Sequence, residues 1–213
     1  MQYRSQFFLY VITLILILIY LPATSSSTHA LIVSTSRYYF NYRHASNALS
    51  VYHTVKSLGV QDEDIVLMLA DDMPCNSRNP APSEIFTEKN HDLNLYSDST
   101  EVDYRGSEVS VESFSRVLTG RHKPGTVPNK KLHTTEDSDL LVYMTGHGGD
   151  EFLKFQDDEE IATDDLRDIF KEMRAKGRYG RILFIVDTCQ AATLASKTRT
   201  PTPTTSTLTS ASP

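Results

Sequence analysis

Only two cysteines, Cys75 and Cys189, occur in 213 residues, so the chain is not a disulfide-stapled scaffold of the small secreted kind. Basic charge is also scarce. Lys and Arg number 21 against 27 Asp and Glu, a formal net charge of -6 with a pI near 5.6, which leaves no electrostatic footprint for nucleic acid. Long apolar runs are missing except for Phe7 to Leu21, and that one falls short of the roughly 20 residues that comfortably span a bilayer. What remains is an enzyme or a protein-binding domain, and the length suits one domain with a sizeable core.

The single apolar run follows Arg4 and leads into Pro22, Ala23 and a Ser/Thr cluster. A basic start, a hydrophobic centre and small residues after it predict a secretory signal peptide over 1–24, or a signal anchor if it is retained. At the other end, residues 196–213 are Thr, Ser and Pro with few apolar side chains. Such a segment buries too little surface to offset its ordering entropy and is expected to be a disordered tail.

Between these ends, short apolar runs alternate with helical patterns. Leu31 to Ser34, Ile65 to Ala70, Leu140 to Met144 and Ile182 to Val186 are too short for helices and read as buried strands. Ala48, Leu49, Tyr52, Val55 and Leu58 fall at helical spacing, as do Val111, Phe114, Val117 and Leu118, and Leu166, Ile169, Phe170 and Met173. Gly59, Gly120 and Gly177 supply their stops. Residues 71–104, rich in Pro, Asn and Asp, predict a long excursion of little regular structure, of the kind that is usually functional. Phe152 and Phe155 flank Lys154 in a short hairpin. The pattern implies an α/β fold, a mainly parallel sheet with helices on both faces. It stops at the Cys189 strand, so the sheet reads as incomplete on its C-terminal side, with an open edge that proteins usually cover.

Two strand ends carry chemistry. Leu140 to Met144 empties into Thr145-Gly146-His147-Gly148-Gly149, and Ile182 to Val186 into Asp187-Thr188-Cys189-Gln190. Reacting groups collect at the carboxyl ends of parallel strands. If the two strands are parallel neighbours, an imidazole and a thiol emerge on one edge. The imidazole can take the thiol proton and return it to a leaving amine. The glycines let the backbone approach a substrate closely, and the N–H groups of Gly148 and Cys189 suit a developing oxyanion. Taken residue by residue, Cys75 and Cys189 remain open to an internal bridge or to inert burial.

The motifs around His147 and Cys189, together with Ser36-Arg37-Tyr38-Tyr39-Phe40-Asn41-Tyr42-Arg43-His44, Val66 to Met73, Glu101-Val102-Asp103-Tyr104 and Phe152 to Asp157, resemble the glycosylphosphatidylinositol (GPI) transamidase catalytic subunits. These belong with the legumain-type cysteine peptidases on a caspase-like fold. The resemblance runs from about His29 to Gln190 and implies a partial caspase-like peptidase domain over 29–192. It implies that Cys189 attacks the carbonyl of the attachment residue near a precursor's C-terminus, releasing the hydrophobic tail and leaving a thioester that the ethanolamine amine of a GPI lipid resolves. His147 would be base and acid, and Asn41 its orienter. It further implies a calcium ion on Asp62, Glu101, Asp103 and the carbonyl of Ile65, with no organic cofactor. A disulfide from Cys75 to another subunit of a membrane complex in the endoplasmic reticulum lumen is implied as well. Two alternatives accompany it: a truncated non-catalytic form that only binds partner subunits, or a legumain-like asparaginyl endopeptidase. The family continues past the cysteine with strands, pocket serines and a membrane helix, so the Thr/Ser/Pro end reads as an altered terminus. Ala191 stands where the family usually has Gly.

Overall fold

The computed structural model describes residues 27–87, 91–196 and 198, and the backbone strand Thr205–Ser210. The predicted signal peptide lies outside the described residues, among which no helix is long and apolar enough to cross a membrane. Strands β1 (Thr28–Ser34), β2 (Ile65–Leu69), β3 (Tyr104–Arg105) and β4 (Asp139–Thr145) open the chain's main sheet. A small hairpin unit follows as β5 (Gly148–Gly149), β6 (Phe152–Phe155) and β7 (Glu159–Ala162), and then β8 (Arg181–Asp187) and β9 (Thr205–Ser210) return to the main sheet. The helices are α1 (Tyr42–Ser57), α2 (Val111–Thr119), α3 (Thr163–Ala175) and the short α4 (Ala191–Ser196).

The main sheet has the order β3-β2-β1-β4-β8-β9, and every neighbouring pair is parallel. Alternation along each strand divides the core in two. Leu31, Val33, Val142 and Met144 face the side covered by α2, α3 and α4, where Phe114, Leu118, Phe170 and Leu194 pack. Ala30, Ile32, Leu67 and Tyr143 face α1, which presents Ala45, Ala48, Leu49, Tyr52 and Val55 at the spacing of one helical face. Each fully buried Leu or Phe contributes about 1.5–3 kcal/mol. Helices on both faces of a parallel sheet are what the sequence predicts.

Local signals set the helix ends. Ser110 Oγ accepts from Ser113 N at 3.1 Å, and Gly120 closes α2 in the left-handed region at φ 71. The excursion between β2 and β3 has no helix or strand among its described residues. It is tied down all the same, because Met73, Ile85 and Leu95 bury themselves under the α1 face.

Two expectations change. The run Ile182 to Val186 reads as covered on both faces, but Leu183 is 38% exposed and Arg181 is exposed beside it. Among the described residues the one helix on that face lies over β1, β2 and β4, so only Ile182, Phe184 and Val186 are fully buried in β8. The tail over 196–213 was expected to be disordered and the edge of β8 open, yet Thr205–Ser210 forms β9 there, in register from Ile182↔Thr205 to Asp187↔Ser210. Composition ruled out a new core, but backbone pairing along an unpaired edge needs none, and β-branched Thr suits an extended strand.

Candidate active site

The register fixes the first relation in the site. Thr145 and Asp187 are partners at the ends of β4 and β8, so His147 and Cys189 each follow two residues beyond a paired position on the same edge. The next link holds as well, with Gly146 N donating to Asp187 O at 3.3 Å. On the other side Thr35 N donates to Thr145 O at 3.0 Å. A Cβ on Gly146 would fall 2.0 Å from Thr35 Oγ1, so only glycine lets these turns nest.

His147 is held firmly. Its Nε2 lies 2.7 Å from Asn41 Oδ1, and its carbonyl accepts from Lys154 N at 2.8 Å. Asn41 is fully buried, and its Nδ2 donates to Arg37 O at 2.5 Å. That bond fixes the amide, because the donor end is engaged and the acceptor end must face the histidine. Nε2 therefore carries the proton and Nδ1 keeps its lone pair, as a general base requires. Asn41 stands where α1 begins, a position at which Asn usually caps its own helix, yet its side chain makes no capping bond. It serves His147 instead.

Cys189 is exposed and unbridged, and its thiol makes no hydrogen bond among the described residues. Gln190 after it adopts φ 53, a left-handed turn that costs a non-glycine residue roughly 1–3 kcal/mol and is typical of functional sites. The chain then turns into α4, where Thr193 N and Oγ1 both donate to Gln190 O at 2.9 Å.

The role of Gly148 differs in part from the sequence reading. Open space for substrate is not the only reason for glycine there: a Cβ would meet Thr188 Oγ1 at 2.5 Å and the Phe152 carbonyl at 2.7 Å. The segment after His147 is thus wedged against Thr188, the residue before Cys189. Thr188 was not singled out by sequence, although its place beside Cys189 was the available signal. It is 2% exposed, and its hydroxyl has no partner. Asp187 also went unassigned. Its Oδ2 accepts from Asn47 Nδ2 at 2.9 Å, Tyr143 OH at 3.2 Å and Thr145 Oγ1 at 3.3 Å, which ties α1, β4 and β8 together beneath the rim. His44, a third addition, packs its ring against that of His147.

The acidic residues lie apart from the rim, beside β2 and β3. Asp103 Oδ2 accepts from Leu67 N at 2.9 Å, while its buried Oδ1 has no partner. Burial, with the nearby Glu101 and Asp62 charges adding to it, pushes the Asp103 carboxyl up to about 7. Burial disfavours the Asp62 charge too, but donation from Lys56 Nζ and Tyr52 OH, both at 2.6 Å, outweighs that and holds its carboxyl below the usual range. Glu101 Oε1 accepts from Asn129 at 2.7 Å. Among the described residues no three His, Cys, Asp or Glu side chains are gathered as a ready metal cluster. The orphaned Asp103 oxygen among carboxylates still fits a hard cation. Cys75 sits in the excursion, exposed and free, and the Asp72 charge raises its thiol pKa.

Comparison with known proteins adds the family. Over 179 residues the chain is 55% identical to the GPI-anchor transamidase of Saccharomyces cerevisiae, covering 84% of this chain and 44% of that protein. It is 58% identical over 165 residues to the human protein of the same name, covering 78% and 42%, and 49% identical over 183 residues to that of Schizosaccharomyces pombe, covering 85% and 48%. The chain thus spans less than half the length of these relatives. The sequence profile of the Peptidase C13 family matches residues 28–213, a span that holds both strand ends with Asn41, His147 and Cys189, and on that match the chain belongs to the Peptidase C13 family.

Proposed function

We propose that this chain carries the catalytic centre of a GPI-anchor transamidase working by cysteine chemistry. The observation that carries the reading is the Asn41 to His147 hydrogen bond of 2.7 Å, which engages Nε2 and leaves Nδ1 as the ring's other nitrogen, at the end of the strand paired with the one that delivers Cys189. Identity of 49–58% to proteins named GPI-anchor transamidase supports that reaction class.

In the first half-reaction His147 Nδ1 accepts the thiol proton and the Cys189 sulfur bonds to the carbonyl carbon of the attachment residue. The N–H groups of Gly148 and Cys189 receive the developing oxyanion. Collapse breaks the C–N bond, and the proton on His147 passes to the departing amine of the C-terminal peptide, leaving a thioester. An amine of the GPI ethanolamine then attacks, gives a proton to His147 and forms the new amide, and the proton returns to the released sulfur. Substrates are precursors with a small-residue attachment site, a spacer and a hydrophobic tail, together with the GPI lipid.

The setting is a multisubunit membrane complex of the endoplasmic reticulum with this domain on the lumenal side. Exposed Cys75, without an internal mate, suits a disulfide to another subunit in that oxidising compartment. Asp103, Glu101, Asp62 and the Ile65 carbonyl would hold calcium, which neutralises buried carboxylate charge between the chain segments preceding β2 and β3.

The test is anchoring of a reporter in cells that depend on this protein for it. Cys189→Ala should abolish surface display of the anchored reporter while the parent supports it, and equal display by both would overturn the reading.

A further inference from the structure

His147 is touched from two directions by the start of α1. Asn41 accepts from its Nε2, and His44, three positions on and so on the same side of the helical turn, brings its ring centroid to 5.1 Å from that of His147 with the planes at 80°. That is an edge-to-face arrangement of the kind aromatic rings prefer. His44 is itself fixed, since it is 5% exposed and its Nδ1 is 2.8 Å from Ser36 Oγ. Ser36 lies just beyond β1, whose last residue Ser34 pairs with Thr145, so the contact closes a loop through β1, α1 and β4.

We propose that His44 is a positioning residue for His147, setting the plane of the base's ring while Asn41 sets the rotation within that plane. The inference rests on the reading of His147 as the base of the proposed reaction. A planar base bonded at one nitrogen alone can still tip about that bond and so redirect Nδ1; the ring of His44, packed against it, opposes the tipping. Neutrality supports the role. Burial foremost, then the charge of Arg43 and the neighbouring His147, with Asp187 opposing, lower the His44 pKa to about 4, so His44 stays uncharged when His147 takes up its proton and neither competes for it nor repels it.

The test reads thiol reactivity, which needs neither lipid nor partner subunits. In the full chain carrying Cys75→Ser, the rate of Cys189 alkylation by iodoacetamide is measured near neutral pH. His44→Ala should slow it about 10-fold, and His44→Phe, which keeps a ring face, should stay within about threefold of the parent. In a His147→Ala background His44→Ala should make no further difference, which a general loss of structure would not produce. If His44→Ala does not fold, His44→Leu, which has bulk but no ring, takes its place. Parent-like alkylation in the ring-less variant, or equal slowing in both backgrounds, would overturn the positioning role. If His147→Ala alone leaves the rate unchanged, the base assignment fails first, and that result is separate from the others.

Discussion

The rim that carries His147 and Cys189 and the acidic corner are two polar regions on one sheet, and they are finished differently. At the rim the side chains around the exposed Cys189 thiol have partners within the chain: Asn41 on His147 Nε2, Ser36 on His44 Nδ1, and three donors on Asp187 Oδ2. At the corner Asp103 is buried with one carboxylate oxygen unpartnered, beside the charges of Glu101 and Asp62. A buried polar atom without a partner costs about 1–3 kcal/mol, so the corner is where something from outside the chain would stabilise the fold. The rim has an orphan too, the Thr188 hydroxyl, but it is neutral and wedged against Gly148. The rim is built for geometry and the corner for charge.

Substitutions can break that contrast, and the largest effect belongs to Gly148→Ala. The added Cβ meets a side-chain oxygen at 2.5 Å and a backbone carbonyl at 2.7 Å, and the carbonyl cannot swing away. Displacement of the segment after His147 should cut anchoring activity by about 100-fold or more, with a much smaller effect on the melting midpoint. Anchoring at parent level would show that the rim tolerates movement. Next comes Asn41→Ala, which removes the acceptor on His147 Nε2 and frees both ring orientation and tautomer. Alkylation of Cys189 should slow by about 10-fold to 100-fold, and a parent-like rate would mean that the amide only shapes the turn. The smallest effect belongs to the corner. Calcium should raise the melting midpoint of the parent by a few degrees and leave that of Asp103→Asn unmoved, with Cys189 alkylation the same in both. A calcium response that survives in the variant would remove Asp103 from the proposed cation site, and altered alkylation would show that the two regions are coupled.

Legibility in the sequence followed the same division between local pattern and long-range contact. The strands β1, β2, β4 and β8, the three longer helices and the two strand ends could be read because each is written in a short run: β-branched apolar stretches, helical spacing and glycine stops. The half-covered face of β8 could not be read, since Ile182 to Val186 looks alike whether or not a helix lies over it. Nor could β9, because a Thr/Ser segment pairs with an edge through backbone groups that composition does not report. At the site, Cys189, His147 and Asn41 stood out through motif, whereas Thr188, Asp187 and His44 did not, as their roles come from contacts with residues 40 to 140 positions away.

By itself, then, the sequence determined an alternating α/β chain with a thiol and an imidazole each three residues past the end of a strand-like apolar run, because periodicity and turn chemistry are local. Only the tertiary structure decided that those positions share one register, which imidazole nitrogen is left free, and which carboxylate is buried without a partner. Each of these depends on what a distant segment places within about 3 Å.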